Sequence, residues 1–264
     1  MVATTLRIAS YNMLADSYIA AGRYPRTEPA LLAPATRLPA VVDRVRGLRA
    51  DIVCLQEVEA HAFALLDKAL SAIGFAGMLA LKSNGKPDGC AIFLRGDKVR
   101  LTRQDTVHFN DQADGARQSG HLAQIVTVDT DIGPMRVANT HIKWDRDDKP
   151  PGEHIGERQV IELLRLCSPP PDVPVIVCGD FNAAPDSRLV LRMLAARFRD
   201  AYAAAPQATC NPNGRATRID FLFAAPELNC TAEAIPTVGD GTPLPGPGEP
   251  SDHLPLCVLV AAGG

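Results

Sequence analysis

The run from Val173 to Cys178 holds only apolar residues and ends in Gly179-Asp180-Phe181-Asn182. A short apolar run closed by a turn signal is a buried strand, so a carboxylate and an amide are expected on the turn that follows it. Later in the chain, Ser251-Asp252-His253 stands directly before another apolar run, Leu254 to Val260. Charged groups next to buried segments are costly unless they are paired. Two such clusters therefore constrain the fold: each must be paired, and at the ends of strands they can share one polar pocket.

The other elements follow from the same reading. Strands are expected at Leu6–Ser10, Asp51–Leu55, Cys90–Leu94, Ala123–Val128, Met135–Asn139, Ile219–Phe223 and Leu256–Val260. Helical spacing appears from Arg37 (Leu38, Val41, Val42, Val45, Leu48) and again over Phe63, Leu65, Leu66, Ala69, Leu70 and Ile73. It recurs at Val160, Ile161, Leu163 and Leu164, and a further helix is expected from near Asp186. This mixture fits an α/β protein of two packed sheets covered by helices. The stretch Gly239 to Pro250 is rich in Gly and Pro and reads as a surface loop, either a wall or lid beside the site or a plain connection.

Composition narrows the function classes. The chain has 264 residues, 46% hydrophobic and 22% charged, and is read as one domain over 1–264. A formal charge of −3 gives no global field for gripping a long polyanion. One Trp, four Tyr and eight Phe leave little for extended base-stacking platforms. Seven cysteines without a Cys-x-x-Cys pair read as buried free thiols in a reducing compartment. No signal peptide or membrane-spanning run is visible, so a cytoplasmic location is expected.

Polar residues at the other strand ends complete the pattern. Asn12 follows the first strand, Glu57 follows Leu55-Gln56, His141 follows Asn139-Thr140, and Asp220 sits in Arg218-Ile219-Asp220-Phe221. Singly, each has a plain structural reading: a turn residue, a helix N-terminal charge, a hydrogen-bonded histidine, an unexplained acid. Jointly with Asp180, Asn182, Asp252 and His253 they make a candidate phosphoesterase centre. Hard metal ions take oxygen ligands, and ester cleavage needs a metal, an orienting group and an acid or base.

Six segments, Ser10-Tyr11-Asn12, Leu55-Gln56-Glu57-Val58, Asn139-Thr140-His141, Gly179-Asp180-Phe181-Asn182, Arg218-Ile219-Asp220-Phe221 and Ser251-Asp252-His253, occur in one order across nearly the whole chain. With them the sequence resembles the endonuclease/exonuclease/phosphatase superfamily. Tyr11 to Asp16, Lys86-Pro87-Asp88-Gly89-Cys90, Ala123 to Val126 and Arg158-Gln159 resemble its deadenylase, nocturnin and Angel-like branch. The resemblance implies a four-layer α/β/β/α sandwich of two mainly antiparallel sheets with the site at one rim. It implies Mg²⁺, with Mn²⁺ as a substitute, held by Glu57 with help from Asn12 and Asp252. Asp180 and Asn182 would position or deprotonate the attacking water. His253, oriented by Asp220, would stabilise the phosphoryl oxygens or act as base, and His141 would protonate the leaving oxygen or bind phosphate. Lys86, Lys143 and Arg158 would contact substrate phosphates.

The substrate stays open between two classes: an RNA, oligonucleotide or nucleotide phosphodiester trimmed from the 3′ end, or the monoester of a small phosphorylated metabolite such as a dinucleotide cofactor. A silent binding scaffold is a third reading, disfavoured because every expected position holds the expected residue type. Trp144 stands three residues after His141, placed to stack on a base or to serve as a half-buried structural residue. Neither a membrane nor a partner-binding module is indicated.

Overall fold

The computed structural model describes residues 4–262 apart from 21, 113–115, 147, 151, 168–172 and 206, with 213 described by its backbone alone. In chain order the elements are β1 (Leu6–Asn12), α1 (Pro29–Leu32), α2 (Pro34–Gly47), β2 (Ile52–Glu59), α3 (Ala60–Ser71), β3 (Phe75–Leu81), β4 (Asp88–Arg95) and β5 (Val99–His108). There follow β6 (Leu122–Thr130), β7 (Gly133–His141), α4 (Ile155–Leu166), β8 (Val175–Asp180), α5 (Arg188–Ala195), β9 (Arg199–Asp200), β10 (Asp220–Ala224), β11 (Leu228–Ala232) and β12 (Leu256–Ala262).

The strands form two six-stranded sheets, ordered β11-β12-β1-β2-β4-β3 and β5-β6-β7-β8-β10-β9. Each has one parallel pair, β1 with β2 and β7 with β8, and the remaining neighbours run antiparallel. A parallel pair needs a crossover connection, which α2 and α4 supply. Helices α2 and α3 cover the first sheet over Val41, Val45, Leu66 and Leu70. Helices α4 and α5 cover the second over Val160, Leu163, Leu189 and Met193. Four layers result, as expected.

Strand periodicity then places the site. Side chains alternate faces along a strand, so residues two apart share one face. Leu6 and Ile8 of β1 enter the core between the sheets, as do Ile52 and Cys54, Met135 and Val137, and Ile176 and Cys178. The next members of those rows are Ser10 and Asn12, Gln56, Asn139 and His141, and Asp180. In β4 and β10, which run the opposite way, Asp88 and Asp220 precede Ile92 and Leu222 in the same rows. The layer between the sheets is therefore apolar along most of its length and becomes polar at one rim.

At the boundary, Asn139 fastens the sheets to each other. Its Nδ2 donates to the carbonyls of Leu55 and Ala91 at 3.0 Å each, and its Oδ1 accepts from Gln56 Nε2 at 2.8 Å. Backbone geometry there is equally specific. Gly179 has φ of 142°, and a Cβ at that position would lie 1.8 Å from the Thr140 carbonyl oxygen. Only glycine lets β8 approach β7 this closely.

Some expected boundaries differ. Helix α2 begins at Pro34, because proline is favoured at a helix start, rather than near Arg37. Strand β2 continues through Glu59, so Glu57 lies inside the strand and not after it. It occupies a β-bulge between Gln56 and Val58 with φ of 57°. A bulge re-aims one side chain without ending the pairing. Strands β3, β5, β9 and β11 were not legible, and all four are sheet edges. Among the described residues, no helix is long and apolar enough to cross a membrane.

Candidate active site

Glu57 and Asp180 come from opposite sheets and meet through Asn12. Its Nδ2 lies 3.1 Å from Glu57 Oε1 and 3.0 Å from Asp180 Oδ2, while its Oδ1 accepts from Leu14 N at 3.1 Å. That last bond fixes the amide orientation, so Asn12 meets the carboxylates through nitrogen. The other Glu57 oxygen accepts from Ala15 N at 2.9 Å. Burial, and then the nearby Asp252, push the Glu57 carboxyl above its ordinary range. Burial and then Asp220 push Asp180 up to about 7. Crowded, desolvated carboxylates of this kind are relieved by a cation. Ligand atoms of Glu57, Asp180 and His141 lie within 4.8 Å of one another, an oxygen-rich donor set suited to a hard divalent ion.

The second half of the site is an imidazole held from behind. His253 Nδ1 faces Asp220 Oδ2 at 2.9 Å and Oδ1 at 3.1 Å. Thr209 Oγ1 donates to Asp220 Oδ2 at 2.6 Å, which completes the shell of that buried acid. Burial opposes charge on His253, but the adjacent Asp220 carboxylate overrides it and raises the imidazole well above its ordinary value. The free edge of the ring, Nε2, stands 3.8 Å from Asp180 Oδ2 and 3.9 Å from Asp252 Oδ1. Asp252 is oriented by Tyr24, whose hydroxyl donates to Oδ2 at 2.9 Å. Ser251 Oγ donates to the Asn12 carbonyl at 2.7 Å and accepts from His253 N at 3.1 Å, joining the last cluster of the chain to the first strand.

His141 lies across Asp180 from His253, its Nε2 3.6 Å from Asp180 Oδ2. Asn182 Nδ2 sits 2.9 Å from the same nitrogen and donates to the Ile142 carbonyl at 2.9 Å. Lys82 Nζ is 3.3 Å from His141 Nδ1 and pairs with Asp88 Oδ2 at 2.7 Å. Burial, and then Lys82, hold the His141 imidazole well below its ordinary value, so it is neutral. His121 packs edge-on against it, with ring centroids 5.8 Å apart.

The expected basic residues divide. Lys86 is exposed, and its charge, with those of Lys82 and Lys143, is felt at His121. Lys143 Nζ donates to the Trp144 carbonyl at 3.1 Å. Arg158 is committed elsewhere: its guanidinium donates to the carbonyls of Gly152 at 2.7 Å and Asp111 at 3.4 Å, which braces the loop ahead of α4. Trp144 is 63% exposed rather than half-buried, and with Arg23, Asn182 and Arg215 it lines a groove of about 850 Å³.

The loop before Ser251 is a fixed wall. Glu249 accepts from Tyr11 OH and, at 2.9 Å, from Arg44 Nε; Arg37 NH1 reaches the Pro250 carbonyl at 3.4 Å. Tyr24, Thr209 and His121 were not found by sequence reasoning. Tyr24 and Thr209 lie in irregular segments without periodicity. His121 did leave a trace in Ser119-Gly120-His121, a glycine turn leading into an apolar strand.

Fold and rim define the class: a two-sheet α/β sandwich with one acid- and imidazole-lined centre. Within that class, the chain belongs to the Endonuclease/Exonuclease/phosphatase family, whose sequence pattern it matches over residues 9–253. It is 29% identical over 216 residues to 2′,5′-phosphodiesterase 12 of Rattus norvegicus, covering 69% of this chain and 34% of that protein. The chain thus spans about a third of the length of several of the curated relatives it matches. Its fold is similar to the crystal structure of ANGEL2, a 2′,3′-cyclic phosphatase, in complex with adenosine-2′,3′-vanadate (TM-score 0.85, 21% identity, 98% of this chain and 96% of that one). It is also similar to the human Nocturnin catalytic domain with bound sulfate (TM-score 0.74, 23% identity, 98% and 93% covered).

Proposed function

We propose that the chain is a divalent-metal-dependent phosphodiesterase acting on a nucleotide or short single-stranded RNA, cleaving from the 3′ end. The observation that carries this reading is the position of Asp180. It stands between Asn12 at 3.0 Å, His141 at 3.6 Å and His253 at 3.8 Å, with Glu57 one hydrogen-bonding residue away. One carboxylate is thereby shared by the metal-binding, leaving-group and imidazole sides of a single centre.

Glu57, with Asp252 helping directly or through water, would hold Mg²⁺ or Mn²⁺, and the ion would supply positive charge at the phosphate. Asp180 accepts a proton from the attacking water, and Asn12 keeps its carboxylate aimed. His253, carrying charge beside Asp220, stabilises the phosphoryl oxygens. Asn182 and Lys82 present further donors on the His141 side. His141, neutral and faced by donors, is better suited to binding the phosphate side than to releasing a proton. Phosphoryl transfer needs chiefly such positioning and electrostatic stabilisation. The exposed Trp144 and the arginine-lined groove beside Asn182 favour a substrate that extends past one phosphate. The adenosine-2′,3′-vanadate bound by ANGEL2 is in keeping with a ribonucleotide.

The test is turnover of oligo(A), single-stranded DNA, NADP and a generic monoester by purified protein with Mg²⁺, Mn²⁺ or EDTA. Nucleotide release from oligo(A) that EDTA abolishes is expected. Release of inorganic phosphate from the monoesters alone would move the assignment to a phosphatase, and no turnover under any condition would leave a binding scaffold.

A further inference from the structure

We infer that His121 is a specificity residue that accepts a hydrogen bond from the substrate hydroxyl next to the leaving oxygen, so the site selects a ribose over a deoxyribose. This inference rests on the phosphodiesterase reading above. His121 is held by a buried chain that the catalytic groups do not otherwise need. Its Nδ1 lies 3.1 Å from Ser119 Oγ, and that hydroxyl donates to Asp111 Oδ2. Asp111 is fully buried and also receives Ser119 N at 2.9 Å and Gln159 Nε2.

The chain sets the tautomer. Ser119 gives its one proton to the carboxylate, so its oxygen, which also accepts from His121 N at 3.2 Å and Gln159 Nε2 at 3.1 Å, has no proton to offer the ring. Nδ1 therefore carries the imidazole proton, and Nε2 is left as a bare lone pair. Gly120 fixes the position: φ is 85°, and a Cβ there would lie 2.4 Å from the Ser83 carbonyl oxygen. Ser83 N bonds back to the Gly120 carbonyl at 3.0 Å, which seats His121 beside Lys82 and against the His141 ring.

His121 is 6% exposed, and its Nε2 has no hydrogen-bond partner among the described residues. The charges felt at the ring on this side of the site, those of Lys82, Lys86 and Lys143, all sit on donors. Those donors suit the oxygens of a phosphate, whereas a lone pair among them suits a ligand that brings a proton of its own. A hydroxyl on the carbon beside the leaving oxygen is that group, and a ribonucleoside has one where a deoxyribonucleoside has none. An acceptor left buried without its donor is penalised, so such a site rejects the analogue that lacks the hydroxyl.

The experiment compares kcat/KM, with Mg²⁺, for a diribonucleotide and for the same molecule lacking only the 2′-hydroxyl of the leaving nucleoside. The wild-type protein should prefer the ribose form by at least ~10-fold. His121→Phe should collapse the ratio toward one, and His121→Gln, which keeps an acceptor, should retain part of it. A wild-type ratio near one overturns the inference. So does a His121→Phe protein that slows both substrates equally, because that is the signature of a prop for His141. If neither dinucleotide is cleaved, the phosphodiesterase reading fails separately. The inference is then judged by equilibrium binding of the same pair with Ca²⁺: an affinity difference that His121→Phe removes supports it, and equal affinities overturn it.

Discussion

His253 and Asp220 face each other at 2.9 Å inside the protein, and Asp220 reaches no other ionisable side chain at hydrogen-bonding distance among the described residues. The acid holds the imidazole well above its ordinary value, so the pair is charged near neutrality. A histidine raised in this way stabilises the fold fully below its unfolded value of about 6.5, and the contribution disappears as pH rises through the folded value. Wild-type stability is therefore expected to fall from neutral toward alkaline pH. Asp220→Asn should flatten that slope and lower kcat by at least ~10²-fold with the fold intact. Urea titrations at several pH values, paired with pH–rate profiles, check both; an unaltered profile in Asp220→Asn would dismiss the pairing.

Glu57→Ala and Asp180→Ala should each reduce kcat by at least ~10²-fold, the scale of losing one transition-state stabiliser. The two should part company in metal dependence. Glu57→Ala should also raise the Mg²⁺ concentration needed for half-maximal rate. Steady-state kinetics across a Mg²⁺ series distinguishes them, and near-normal turnover in Asp180→Ala would sink the assignment.

Removal of divalent ions should lower thermal stability as well as activity. Glu57, Asp180 and Asp252 are like charges brought into one buried rim, and a cation bound only by the folded state stabilises by about 2.7 kcal/mol at a hundredfold excess over Kd. Melting curves with Mg²⁺ and with EDTA should separate, and the gap should close in Glu57→Ala.

Gly179→Ala should damage the fold and the site at once. The added methyl meets the Thr140 carbonyl, a backbone atom that cannot step aside without breaking the β7–β8 ladder. A loss of about 2 kcal/mol or more is expected, with reduced kcat in whatever protein folds, because Asp180 is the next residue. Chemical denaturation measures the first effect and single-turnover kinetics the second.

Glu249→Gln should loosen the wall next to the site. The carboxylate receives both the buried Tyr11 hydroxyl and Arg44, and replacing it with an amide removes a charge-assisted acceptor, at about 1–3 kcal/mol. Because Asp252 is three residues away, the proposed metal site should weaken too. A urea midpoint shift with a raised Mg²⁺ requirement is the expected pair of results.

What the sequence by itself determined was the interior. All eight strands with neighbours on both sides were legible, since burial on both faces writes a continuous apolar run. The four strands at the sheet edges were not. Strand β5 is mostly exposed and reads Val-Arg-Leu-Thr-Arg-Gln-Asp-Thr-Val-His, a strand only because β6 offers it a ladder. The polar residues at the strand ends were legible for the same reason, as interruptions of apolar runs. Tertiary structure alone decided how those residues meet. It turned Asn12 nitrogen-first toward two carboxylates, folded Glu57 into a bulge, diverted Arg158 to loop carbonyls and brought His121 beside His141. These contacts join residues from 6 to 168 positions apart, and none of them follows from the local periodicity of the chain. A one-dimensional pattern records which face a residue occupies, and pairing across two sheets is set only when the sheets pack.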